Sequence, residues 1–88
     1  MSFSIRIKGS AARDLGRIAR ADRVRLIEAV DRLSENPYVG SPLKGELRGL
    51  RRLRVGDYRV LYEVQHDALV VLVVRVAHRR EAYRRRTR

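Results

Sequence analysis

The sequence predicts an α+β fold: an N-terminal strand, a helical hairpin, then a three-stranded antiparallel meander, forming a four-stranded sheet with both helices on one face. Three observations predict it. Residues 3–8 alternate apolar and polar with period two, residues 11–33 carry apolar side chains at helical spacing, and residues 51–77 hold three strand-like runs separated by two-residue turns. Eighty-eight residues make one domain, spanning 1–88, with room for a single thin core.

In chain order, Phe3-Ser4-Ile5-Arg6-Ile7-Lys8 reads as a half-buried strand broken by Gly9-Ser10. Ser10 is the expected N-cap of a helix running to about Ala19, with Ala11, Leu15 and Ile18 on its apolar face. Asp22 is the expected cap of a second helix, whose Leu26, Ile27, Val30 and Leu33 face the core until Asn36-Pro37 stops it. With so short a connection the two helices should pack antiparallel. A loop rich in Pro, Gly and Ser follows from Asn36 to Gly45. Arg51–Val55 and Tyr58–Gln65 flank the tight turn Gly56-Asp57. His66-Asp67 then leads into the aliphatic run Ala68–Ala77, which reads as a central strand and the expected partner of the first. The basic tail from Arg79 to Arg88 is expected to end in a short helix or to fray.

Charge narrows the function. Lys and Arg total 21 against 10 Asp and Glu, a net charge of +11, and only Lys8 and Lys44 are lysines. Residues 1–43 carry eight basic and five acidic side chains, whereas residues 44–88 carry thirteen and five. Such an excess calls for an anionic partner, and the planar guanidinium fork suits phosphate. With no cysteine there is neither a disulfide framework nor a thiolate metal site, as expected of a cytoplasmic protein. No apolar run approaches the ~18 residues of a membrane span. His66 and His78 stand apart, so no metal cage is expected. No phosphate-binding Gly-rich loop and no hydrolase serine elbow is present, and no cofactor is expected.

Strand parity locates the charge. If Leu53 and Val55 join Tyr58, Val60, Tyr62 and Val64 on the helix-covered side, then Arg52, Arg54 and Arg59 converge on the other face of adjacent strands. Like charges that close repel unless they share an anion, so the three make a candidate phosphate platform. If the tail turns helical, Arg79 and Tyr83 share a face beside it, an arrangement that can grip a phosphate and stack on a base.

The run Leu43-Lys44-Gly45-Glu46-Leu47-Arg48-Gly49-Leu50-Arg51-Arg52-Leu53-Arg54-Val55-Gly56-Asp57-Tyr58-Arg59-Val60-Leu61-Tyr62, followed by Val76-Ala77-His78-Arg79-Arg80-Glu81-Ala82-Tyr83, resembles the RelE/ParE toxin superfamily, and its RelE branch in particular. Ala12-Arg13-Asp14-Leu15 and Leu33-Ser34-Glu35-Asn36-Pro37 fit that family's helical hairpin. The resemblance implies a type II toxin: a ribosome-dependent, metal-independent mRNA endonuclease (an mRNA interferase). Such an enzyme acts in the 30S A site against rRNA, attacks through the 2′-hydroxyl and leaves a 2′,3′-cyclic phosphate. It further implies a RelB-like antitoxin as partner. By resemblance Arg59 contacts the scissile phosphate, Arg79 assists the leaving oxygen and Tyr83 orients the RNA, while Arg52, Arg51, Arg48 and Lys44 are expected to contact RNA.

One departure stands out, because Arg52 and Arg54 occupy positions where well-studied members carry lysine, one of them a proposed general base. Arginine is almost never deprotonated near neutrality. Either Arg54 and its neighbours act by charge alone, or His78 takes the proton. Two further functions stay open: gyrase inhibition, as the ParE branch would imply, and nucleic-acid binding without catalysis.

Overall fold

Ser4–Ile7 forms β1, Gly9–Gly16 α1 and Arg20–Arg32 α2, followed by the two-residue strand β2 at Ser41–Pro42 and a 3-10 turn at Gly45–Leu47. Arg51–Val55, Tyr58–Gln65 and Val70–His78 are β3, β4 and β5. These elements come from a computed structural model of the protein that describes residues 2–80. The sheet order is β1-β5-β4-β3-β2. β1 runs parallel to β5, from Ser4 opposite Val70 to Ile7 opposite Val73, while the other pairs are antiparallel. The expected meander and the pairing of the first strand with the last are therefore present. β2 adds a fifth strand inside what the sequence shows only as a loop.

One face of the sheet holds the core. Ala11, Leu15, Leu26, Val30 and Leu33 from the helices meet Val60, Tyr62, Val71, Val73 and Val76, with Leu53, Val55, Tyr58 and Val64 partly buried at the margin. Two helices do not span five strands. A groove of about 610 Å3 remains between the end of α2 and β3, floored by Leu33, Val39, Leu53 and Val55.

The helix ends differ from the sequence expectation. Lys8, not Ser10, occupies the N-cap of α1, without a side-chain cap. The Ser10 hydroxyl instead donates to Val74 O at 2.7 Å. Lys8 N donates to Val73 O where β1 stops, so α1 continues to satisfy the β5 edge beyond its partner strand. Ala19 rather than Asp22 caps α2, and Asp22 pairs with Arg25 at 2.9 Å in the first turn. Arg23 reaches back to Leu15 O and Ile18 O, capping the end of α1 and fastening the hairpin. Ile27 is 42% exposed because the core contact of α2 is already filled by Leu26, Ala29, Val30 and Leu33.

Tyr62 pins the loop ahead of β2. Fully buried, it donates from Oη to Pro37 O at 2.8 Å and accepts from Gly40 N at 3.0 Å. A Cβ on Gly40 would lie 2.5 Å from Arg52 O and 2.6 Å from Tyr62 Oη, so glycine alone allows β2 to approach β3 there. Ser41 thereby comes opposite Arg52.

Candidate nucleic-acid interface

The register of β3 and β4 places Leu53 opposite Val60 and Val55 opposite Tyr58, all against the core. Alternation then turns the intervening residues to the face away from the helices, where Arg54 stands directly opposite Arg59 and Arg52 opposite Leu61. The row continues onto β5, where Ala77 pairs with Arg59. Leu61 is 3% exposed and Ala77 8%, so the guanidinium groups rise from an apolar floor. Arg54 is exposed, whereas Arg52 and Arg59 are half-buried, and Arg59 Nη1 donates to Tyr58 O at 3.3 Å. Over such a floor an anion interacts more strongly with fixed cations than in water.

Arg79 lies one residue row beyond. Its N–H donates to Asp57 O at 2.7 Å, which ties the end of β5 to the β3–β4 turn and brings Arg79 to the same end of the sheet as Arg54 and Arg59. Tyr83 and the rest of the expected tail helix lie outside the described residues. Lys44 and Arg48 are exposed on either side of the 3-10 turn before β3.

Two expected residues are placed elsewhere. Arg51 shares parity with Leu53 and so belongs to the helix side, away from Arg52 and Arg54. Its Nε and Nη2 donate to Gly40 O at 3.1 and 2.8 Å, Nη2 donates to Tyr38 O at 3.1 Å, and its guanidinium lies 5.3 Å from the Tyr38 ring centre. These bonds spend it on the loop. His78 pairs with Tyr58, whose ring it meets edge-on at 5.9 Å, and therefore faces the helix side, across the sheet from Arg59. Its Nδ1 accepts from Arg80 N at 3.3 Å, which leaves the proton of a neutral ring on Nε2. The structure does not bring His78 to the three arginines.

A bulge on β5 produces a feature the sequence hides. Leu61 pairs with Arg75 and Tyr62 with Val73, leaving Val74 without a partner and shifting the parity of the strand. Arg75, inside a run that reads as aliphatic, reaches the β5 edge and donates from Nε to Asp14 Oδ2 at 2.8 Å. The same oxygen accepts from Val76 N at 2.9 Å. Asp14 on α1 thus brackets the free edge of β5. Among the described residues no three His, Cys, Asp or Glu side chains come together as a metal site would require. No helix among them is long and apolar enough to cross a membrane.

The protein is thus a small α+β domain with paired helices on one face of its sheet and cross-strand arginines on the other. The family model for the ParE toxin of type II toxin–antitoxin systems matches residues 5–83. Toxin RelG of Mycobacterium tuberculosis is 37% identical over 87 residues, covering 97% of this chain and 100% of that protein. Toxin RelE of the same organism is 36% identical over 84 residues, covering 93% and 87%. In the crystal structure of the M. tuberculosis toxin–antitoxin complex RelBE2, the matching chain superposes with a TM-score of 0.84 at 32% identity, covering 89% of this chain and 99% of that one. The chain belongs to the RelE/ParE family of type II toxins.

Proposed function

We infer that this toxin is an mRNA endonuclease acting in the ribosomal A site. What supports this most is the placement of Arg54 directly opposite Arg59 on an apolar floor, on the face away from the helices. In the proposed reaction the 2′-oxygen attacks the adjacent phosphorus and the bond to the 5′-oxygen breaks, giving a 2′,3′-cyclic phosphate and a 5′-hydroxyl. The phosphorane gains negative charge, which Arg59 and Arg54 meet where it develops. Arg79 supports the departing 5′-oxygen by charge. The 2′-hydroxyl proton leaves to solvent, because neither an arginine nor a histidine across the sheet serves as its base, and the departing 5′-oxygen takes its proton from solvent.

Arg59→Ala should slow mRNA cleavage in a reconstituted translation reaction by about 10²–10³-fold, the usual effect of removing one transition-state donor. Mapped mRNA 5′ ends should fall within codons of the translated frame. Cleavage that persists in Arg59→Ala would remove the basis of the proposal. A second reading, gyrase inhibition without nuclease chemistry, draws on the match to the ParE model itself. It predicts accumulation of cleaved DNA–gyrase complexes on expression, with mRNA intact.

One solved relative is a toxin–antitoxin complex, and by the same proposal this chain has a RelB-like antitoxin whose acidic segment covers the basic face. Binding should weaken as salt rises, because exposed charges are screened.

A further inference from the structure

Beyond the arginine row, at the β5 edge left free where β1 ends, lies a cavity of about 200 Å3 lined by Asp14, Arg17, Tyr58, Arg75, Ala77 and His78 among others. Its chemistry is mostly that of a donor. Among the described lining residues Asp14 is the one acidic side chain. Its Oδ2 accepts from Arg75 Nε and Val76 N, and its Oδ1 accepts from Arg75 Nη2 at 3.5 Å, which leaves Arg75 Nη1 for a ligand. The bonds to Asp14 fix the Arg75 guanidinium in place. Arg17, exposed on α1, makes no side-chain hydrogen bond to the described residues, so its fork is available to a ligand. The cavity also joins the candidate interface. Arg54, Arg59 and Ala77 form one cross-strand row, and Ala77 lines the cavity at the end of that row. Adjacent strands lie ~4.8 Å apart, so the cavity is within about 10 Å of Arg59, with the short side chain of Ala77 between them.

We propose that this edge cavity holds the backbone phosphate next to the one bound at Arg59, gripped by Arg17 and Arg75. The proposal rests on the nuclease reading, in that RNA already lies along the Arg54–Arg59 row. A phosphate fits better than a nucleoside: the volume is below the ~300–1,000 Å3 of small-molecule pockets, and two guanidinium groups from α1 and β5 match an anion from two sides. The strand would then pass over Ala77 and turn around the sheet edge, so that both faces of β5 hold the same RNA.

The test is the salt dependence of binding by the full-length chain to single-stranded DNA oligonucleotides of several sequences, which lack the 2′-hydroxyl and are not cut. Each phosphate contact adds about 0.7 to the slope of log affinity against log salt. Arg17→Ala should reduce the slope by about 0.7 and weaken every sequence equally, whereas Arg13→Ala, on the same helix outside the cavity, should leave the slope unchanged. An unaltered slope in Arg17→Ala, an equal change in Arg13→Ala, or a loss confined to some sequences would each overturn the proposal, the last by pointing to a base instead. Arg59→Ala separates the two levels. If it flattens the slope and Arg17→Ala does not, the edge site alone fails; if the wild-type chain does not bind the strands, the edge site fails as well, while the nuclease reading is decided separately by cleavage in the translation reaction.

Discussion

Arg51 and Arg54 lie three positions apart on one strand and do opposite work. Arg51, on the helix side, is spent on Gly40 O and Tyr38 O and holds a loop in place. Arg54, on the other side, is exposed and faces a second arginine. The helix side uses its cations as internal fasteners; the opposite side sets like charges against each other, at a cost in stability. On β3, strand parity therefore separates an arginine that fastens a loop from one that, under the proposed function, receives an anion. Substitutions on the first side should register in stability, and those on the second in activity.

The largest stability effect is expected where the helix side is tightest. Gly40→Ala places a methyl group against Arg52 O and Tyr62 Oη and should cost about 3 kcal/mol or more, read as a lowered denaturation midpoint or as loss of the folded chain. Tyr62→Phe leaves the Gly40 N–H and the Pro37 carbonyl without their partner and should cost about 1–3 kcal/mol by urea titration, with cleavage by the folded fraction unchanged. Arg54→Gln is the sharpest probe of the contrast. Relief of the Arg54–Arg59 repulsion should raise stability by about 0.2–1 kcal/mol. Loss of one charge-assisted contact of about 1.5–3 kcal/mol should slow cleavage about 10–100-fold. A less stable Arg54→Gln would mean that the arginines hold the fold rather than a ligand. Smallest of all is Arg25→Ala, which removes an exposed pair with Asp22 and should move thermal unfolding by no more than about 0.5 kcal/mol.

Periodicity revealed most of this frame. The alternation of Arg51–Val55 and Tyr58–Gln65 is enough to group Arg52, Arg54 and Arg59, because parity is carried by the residues themselves. It fails where the backbone departs from regularity. The bulge at Val74 resets the parity of β5, so nothing in the run Val70–His78 announces that Arg75 meets Asp14 at the edge. Capping residues were equally deceptive. Ser10 and Asp22 are of the right type and in nearly the right place, but a tertiary partner, Val74 O, claims Ser10, and Arg25, three residues on in the same helix, claims Asp22. Arg51 shows a third limit, for it adjoins Arg52 in sequence yet belongs by parity to the opposite face.

The bonds between α1 and β5 also bear on when this protein can assemble. Ser10 and Val74 are 64 positions apart, and Asp14 and Arg75 are 61 apart. Contacts so distant along the chain close late, after the entropy of a long loop has been overcome. During synthesis the first strand and helix leave the ribosome well before their partner strand does, and they must wait without it. The edge cavity and the end of the arginine row both need β5, so neither exists on a nascent chain. Under the proposed function, activity that depends on the arginine row would therefore appear only once β5 has joined the sheet.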